Sequence, residues 1–297
     1  MSQIYLITGA STGFGALSAR ALAKEGHTVF AGMYSHGGNT SAYEEEAAAF
    51  ARENNVDLRT VPLDLLSQES VDAAVKHILD TAGRIDAVVH NAGHMNYGPA
   101  ESFTAAQCLQ LYDVNVVGCQ RLNMAVLPYM RRARRGYVIW IGSSSTSGAN
   151  SPYLGAYFAA KAAQDSLAQS YAAELTAWGI ETTIVSPGVF TKGTNHFLDA
   201  AKPGRPDIAQ EYEDGPTHGL GERTLTGTAA LVPPDADPQI VADTLVELSR
   251  TPRGKKPFRM LPDPTMGGGQ AAAAVVDNNR VNMYRRMGIL EYLTVRL

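Results

Sequence analysis

Short apolar runs rich in β-branched and aromatic residues alternate with longer mixed stretches along most of the chain. The runs are IYLIT at 4–8, HTVFAGM at 27–33, VDLRTVPL at 56–63, IDAVVH at 85–90, GYVIWIG at 136–142 and IETTIVS at 180–186. Between them, helices are predicted near 13–25, 41–54, 68–82, 104–133 and 155–178. Strand and helix taken in turn imply βαβ units with right-handed crossovers, hence an α/β fold with a doubly wound, mostly parallel sheet. After Ser186 the regularity lapses into a Gly- and Pro-containing stretch at 192–236. That is long for a plain connection and is read as a substrate lid with short helices. A helix near 238–250, a last strand at 256–261 and a tail helix near 278–293 complete the pattern, with MGGGQAAAA at 266–274 expected as a flexible turn into the tail. A single domain is expected over 1–297, with its core at 3–191, the lid at 192–236 and a C-terminal extension at 237–297.

Composition fits a large packed core, with 45% hydrophobic and 18% charged residues. A net charge of -4 gives no electrostatic reason to expect nucleic acid or an anionic membrane as partner. The basic run at 131–135 falls at an expected helix end, where cations complement the dipole. Cys108 and Cys119 stand eleven residues apart on one expected helix, too far to bridge, and are read as reduced thiols. The apolar stretch from Ile4 to Ile7 is too short for a signal peptide, and no run of about 18 apolar residues occurs. A soluble cytoplasmic protein acting on small molecules is expected.

The chemistry starts at TGASTGFG, residues 8–15, between the first strand and the first helix. Gly9, Gly13 and Gly15 allow a sharp turn and a close backbone approach to a pyrophosphate, which the helix N-terminus attracts. Further on, Tyr157 and Lys161 in YFAAK share one helix face, so an ammonium can stand beside the phenol and favour its ionised form. Two unit charges about 4 Å apart at an effective dielectric near 20 interact by about 4 kcal/mol, enough to lower a phenol by up to roughly three pKa units before desolvation. Tyr157 is therefore a usable acid and base. Tyr153 is a competing phenol, but Tyr157 and not a lysine stands four residues on, so it is read as pocket wall.

The ordered set resembles the short-chain dehydrogenase/reductase family: the GxxxGxG loop, NAG at 91–93, Asn115 in VNVVG, Ser144 thirteen residues before Tyr157, YxxxK, and PGVFT at 187–191. The likeness covers about residues 3–191 and implies a Rossmann-type domain. By this resemblance Tyr157 exchanges the substrate proton and Ser144 holds the carbonyl oxygen. Lys161 holds the nicotinamide ribose and lowers the phenol's pKa, and Asn115 anchors a water leading to Lys161. The resemblance also implies a cofactor site made of Gly9, Ser11, Thr12, Gly13, Phe14, Gly15, Tyr34, Ser35, Asp64, Leu65, Asn91, Ala92, Gly93, Tyr157, Lys161, Pro187, Gly188, Val189 and Thr191. For Asp64 a helix-capping role is the plainer alternative.

NAD users place a carboxylate at the end of the second strand, where this chain has Met33 followed by Tyr34, Ser35 and His36. NADP(H) is expected on that ground, with NAD(H) as the alternative, although no arginine stands at Tyr34 to meet a 2'-phosphate. No HExxH or CxxC motif suggests a metal, and none is expected in the site. His94, Met95, Tyr97, Tyr153, Val189, Phe190, His196 and Phe197 follow segments that should face the nicotinamide. They imply a medium-sized, largely apolar ketone or secondary alcohol as substrate. The expected function is NADP(H)-dependent carbonyl reduction or alcohol oxidation in a homodimer or homotetramer. The competing readings are a dehydration, isomerisation or cyclisation on the same fold, and a nucleotide-binding regulator without turnover.

Overall fold

The structure, a computed structural model, describes residues 2–34, 39–148 and 150–297. Seven strands form one parallel sheet: β1 (Ile4–Ile7), β2 (Thr28–Met33), β3 (Leu58–Pro62), β4 (Ala87–His90), β5 (Gly136–Ile141), β6 (Ile180–Val185) and β7 (Arg259–Met260). Their order across the sheet is β3-β2-β1-β4-β5-β6-β7. Ile7 is level with Ala31 on β2 and with Val89 on β4. The chain reverses its direction of travel across the sheet between β1 and β4, and the crevice beyond the carboxyl ends of such strands is where open α/β sheets bind ligands.

Ten helices follow: α1 (Gly13–Lys24), α2 (Ser41–Asn54), α3 (Gln68–Ala82), α4 (Ala105–Tyr112), α5 (Gly118–Ala133), α6 (Gly155–Glu174), α7 (Pro206–Asp214), α8 (Leu220–Leu231), α9 (Gln239–Arg250) and α10 (Gly269–Met287). Buried residues of α3, α5 and α6 pack on one face of the sheet with Leu6, Val88 and Trp140. On the other face, α1, α2 and α9 close over Tyr5, Val29, Val89 and Ile139. Both faces are covered, so β1, β2, β4 and β5 are buried almost throughout, while the edge-side β3 alternates, with Arg59 exposed between buried Leu58 and Val61.

Two stretches differ from expectation. The helix expected over 104–133 is two helices, α4 and α5, joined by a π-helical turn at Asp113–Val117. The tail helix starts at Gly269 and ends at Met287, taking in the alanines expected as a flexible turn. Gly268, at φ 80°, supplies its N-cap, and Gly288, at φ 72°, ends it; both conformations favour glycine. Among the described residues no helix is long and apolar enough to cross a membrane.

Candidate active site

The glycine loop leaves β1 and turns into α1. Gly9 and Gly13 have φ of 63° and 55°, which a side chain resists, and a Cβ on Gly15 would lie 2.3 Å from Gly9 O and 2.5 Å from Asn91 Nδ2. Thr12 is the N-cap of α1 but makes no side-chain cap, and no acidic residue occupies the first turn. First-turn N–H groups of this kind suit an anionic ligand. The loop is locked to the NAG turn after β4. Asn91 Nδ2 donates to Thr8 O (2.8 Å) and Gly9 O (3.1 Å), while Asn91 N and Ala92 N both donate to Thr8 Oγ1 at 3.0 and 2.9 Å. Sequence reading passed over Thr8, whose signal was a hydroxyl ending the first strand.

The remaining residues assigned to the cofactor take varied positions. Tyr34 is 46% exposed at the end of β2, and Ser35 lies outside the described residues. Asp64 Oδ1 accepts from Leu66 N at 2.8 Å, closing a local turn, and the cap of α3 is Ser67 instead. Leu65 points its side chain into the core beside Gly118, where a Cβ would meet Leu65 Cβ at 2.9 Å. Pro187 O accepts from Ser144 N at 2.9 Å, tying the turn after β5 to the end of β6. Gly188 lies against Asp263, Val189 is half-buried and Thr191 is exposed. Phe190 meets Phe14 edge to face at 5.5 Å and is buried in the core with α1 and α9. It is thus a prop under the glycine loop more than pocket wall.

The π-helical turn aims Asn115 inward. Its Nδ2 donates to Leu111 O (2.9 Å) and His94 O (3.0 Å), and its buried Oδ1 has no protein partner. A Cβ on Gly93 would stand 2.5 Å from that Oδ1 and 3.8 Å from Lys161 Nζ, so the NAG turn, Asn115 and Lys161 converge with room only for glycine between them. An extra residue in one helical turn is the usual origin of such a π segment, often at a functional site.

Lys161 is buried and donates to Ile141 O (2.9 Å) and Gln164 Oε1 (3.0 Å). Burial holds its ammonium down to about 8, with Cys119 acting weakly in the other direction. Gln164 Nε2 continues the chain to Cys119 Sγ at 3.4 Å. Gln164 is a site residue that sequence reading missed; its signal was a polar residue three positions after Lys161 on the same helix face.

Tyr157 is 8% exposed. Burial raises its phenol above the ordinary range, and the contribution in the lowering direction comes from a hydrogen bond with Ser143. The expected depression of the phenol by Lys161 is therefore replaced by a rise: desolvation dominates, and the ammonium is bonded to Ile141 O and Gln164. The serine that acts on the phenol in the lowering direction is Ser143, whose Oγ also accepts from Ser145 N (3.2 Å) and Ser145 Oγ (2.9 Å). Ser143 is the last extended residue, at φ −156° and ψ 145°, and a 3-10 turn begins at Ser144.

The segment after β6, expected as a lid, packs over this centre. Met95, Leu111, Leu154, Ala160 and Ala200 are buried around Tyr157, with Tyr97 and Phe197 packed against them. Asn96 bridges Ala201, Tyr97 N donates to Ala201 O (3.1 Å), and Ala201 N donates to Met95 O (2.9 Å). Gln107, which completes the capping box of α4 with Thr104, also donates to Lys202 O at 2.9 Å and accepts from Gly204 N at 2.9 Å. The Tyr97 hydroxyl donates to Gly221 O at 2.7 Å, and a Cβ on Gly221 would meet the Tyr153 ring at 2.8 Å. Tyr153 is thus pocket wall beneath α8. From the lid, His196 Nε2 reaches the Tyr157 oxygen at 3.1 Å.

The family model described as short chain dehydrogenase matches residues 3–202. The 3-ketodihydrosphingosine reductase of Bacteroides thetaiotaomicron is 36% identical over 192 residues, 64% of this chain and 65% of that one, so less than two thirds of that relative's own length is spanned. The uncharacterized oxidoreductase YbbO of Escherichia coli is 31% identical over 222 residues, 73% of this chain and 78% of that one. A short-chain dehydrogenase structure from Streptomyces avermitilis superposes with a TM-score of 0.73 at 25% identity, over 97% of this chain and 98% of that one. With a glycine loop, π-turn asparagine and tyrosine–lysine pair placed on a seven-stranded parallel sheet, this chain belongs to the short-chain dehydrogenase/reductase family.

Proposed function

We propose that this protein is an NADP(H)-dependent oxidoreductase that interconverts a ketone or aldehyde and an alcohol on a medium-sized, largely apolar molecule, with Tyr157 as acid and base. The observation that carries the reading is the Tyr157 phenol, buried in an apolar cluster one helical turn from Lys161, with Ser143 acting on it in the lowering direction. The uncapped α1 N-terminus, the glycine cradle and the unpartnered Asn115 Oδ1 fit a dinucleotide. When bound, the nicotinamide supplies or accepts the hydride.

The chain's own residues handle the oxygen and its proton. Tyr157 gives a proton to the carbonyl oxygen or takes it from the alcohol, and a hydroxyl beside it shares the developing negative charge. We transfer the second role from Ser144 to Ser143. Lys161 has three donors, of which Ile141 O and Gln164 Oε1 use two, leaving the third for ribose hydroxyls. Asn115 Oδ1, which has no partner among the described residues, is the anchor for a water leading to that lysine. The residues Gly9 to Gly15 hold the pyrophosphate, Asn91 to Gly93 the adenosine side, and Pro187 to Thr191 the carboxamide.

For the cofactor, the end of β2 offers Met33 and Tyr34 where a carboxylate would repel a 2'-phosphate. For the substrate, Met95, Tyr97 and Phe197 make the wall around the phenol apolar, and the Bacteroides relative is named for reduction of a keto compound. The free Cys108 and Cys119 fit a reducing, cytoplasmic setting. Exposed Leu109, Val117 and Met124 along α4, the π turn and α5 suit pairing into a homodimer or homotetramer.

A carbonyl panel followed by NADPH absorbance tests the reading. Turnover is expected on apolar ketones, with NADPH binding more tightly than NADH, and Tyr157→Phe should lose about 10²- to 10⁴-fold in kcat while keeping cofactor affinity. Nucleotide binding without turnover across the panel, or full turnover by Tyr157→Phe, would overturn it.

A further inference from the structure

The lid brings a second ring to the acid/base. His196 lies five residues before Ala201, whose backbone is held by the 95–97 segment. Its Nε2 stands 3.1 Å from the Tyr157 oxygen, and the two rings meet edge to face at 5.4 Å and 69°. The groups facing the imidazole are Tyr157 and Lys161 from α6 and His94 from the turn after β4. Burial first, then the positive charges of Lys161 and His94, keep the imidazole neutral down to about pH 4. A neutral imidazole carries one N–H, and a phenol oxygen has one proton and two lone pairs. His196 takes one position on that oxygen, which leaves two for the Ser143 hydroxyl and a substrate oxygen.

We propose that His196 is a further catalytic residue, a donor carried by the lid that hydrogen-bonds the Tyr157 oxygen and stabilises its phenolate, so that the acid/base is complete only when the lid is seated. This rests on the redox function proposed above. In reduction the phenol O–H bond breaks, its proton goes to the carbonyl oxygen while the carbonyl carbon takes the hydride, and the electron pair stays on Tyr157. The phenolate then faces two donors, the Ser143 hydroxyl and His196 Nε2–H. Hydrogen bonds to a charged form favour that form. In oxidation the same pair lets Tyr157 hold the phenolate that takes the alcohol proton.

The test uses His196→Phe, which keeps a ring without nitrogen, and His196→Gln, which keeps a donor. In alcohol oxidation, His196→Phe should move the pH limb that reports the phenol upward by about one unit, tenfold in its ionisation, and lower kcat about tenfold at neutral pH with cofactor Kd unchanged. That limb belongs to Tyr157 and Lys161 together, and the comparison between variants isolates the histidine. His196→Gln should recover most of the loss. Independently of turnover, nitrogen NMR of histidine-labelled protein should show the His196 Nε2 signal, identified by its loss in His196→Gln, displaced in Tyr157→Phe.

An unmoved pH limb in His196→Phe, or higher turnover in that variant because the ring merely plugs the site, would overturn the proposal. If His196→Phe does not fold, the limb in His196→Asn decides in its place. If the NMR signal moves while no carbonyl compound is turned over, the redox reading falls and the imidazole–phenol bond stands. If turnover is normal and the signal is unmoved, the proposal falls alone.

Discussion

Ser143 and Ser144 are chemically identical and adjacent, yet it is Ser143 that acts on the phenol in the lowering direction. Ser143→Ala is expected to lower kcat about 10²-fold, the scale of losing one oxyanion donor. Ser144→Ala should stay within about threefold of wild type, since its backbone N–H, which survives the change, makes the bond to Pro187 O. Steady-state kinetics on one carbonyl substrate compares them, and equal losses would return the role to Ser144. Spacing alone places Tyr157 and Lys161 together, because i and i+4 share a face in any α-helix. Counting could not choose the serine, because the choice depends on where extended backbone gives way to a 3-10 turn. Nor did the spacing disclose that burial outweighs Lys161 at the phenol, since desolvation depends on what the lid covers.

Elements with strong periodicity were readable to within a residue or two: α2 spans Ser41–Asn54 and α3 spans Gln68–Ala82, as their patterns predict. The break at Asp113–Val117 was not readable, since a π turn adds one residue without an interrupting proline or glycine inside it. The tail helix was placed too late because the glycines at 267–269 read as flexibility, although Gly268 begins the helix. What holds that helix is a buried charge cluster that periodicity does not report. Arg259 on β7 bonds Asp165 of α6 at 2.6 Å and Asp277 of α10 at 3.1 Å, and the Arg259 and Asp165 side chains are 7% and 8% exposed. Arg259→Met leaves the Asp165 carboxylate buried without its cation and should cost about 3 kcal/mol in urea unfolding. Asp277→Asn, at a more exposed partner, should cost less than about 1 kcal/mol.

Across the whole molecule, the doubly wound class followed from strand and helix alternation, while the position of the lid over the phenol did not, because loop docking is set by contacts distant in sequence. Acid should loosen that docking. In the seated lid the His196 imidazole titrates near 4 against an ordinary 6.5, so the detached lid binds the proton more readily between those values. The contribution to docking is full above about pH 6.5 and is lost as the pH falls toward 4. Backbone amide exchange at Tyr97 and Ala201, corrected for its intrinsic pH dependence, should quicken in this window in wild type and much less in His196→Gln. Equal acceleration in both would assign the effect to other groups.

The lid's footing near α4 has a consequence for how new specificities can arise. Gln107 donates to the carbonyl of Lys202 and accepts from the amide of Gly204, so the anchorage reads main chain, and a Cβ at 204 would run into Gln107 and Thr104. Beyond that foothold, the stretch carrying α7 and α8 meets the floor where the Tyr97 hydroxyl donates to Gly221 O, again main chain, and where the Tyr212 hydroxyl donates to Glu101. On the function proposed above, a graft of residues 206–231 from a relative that keeps these contacts should transplant selectivity without rebuilding the proton machinery.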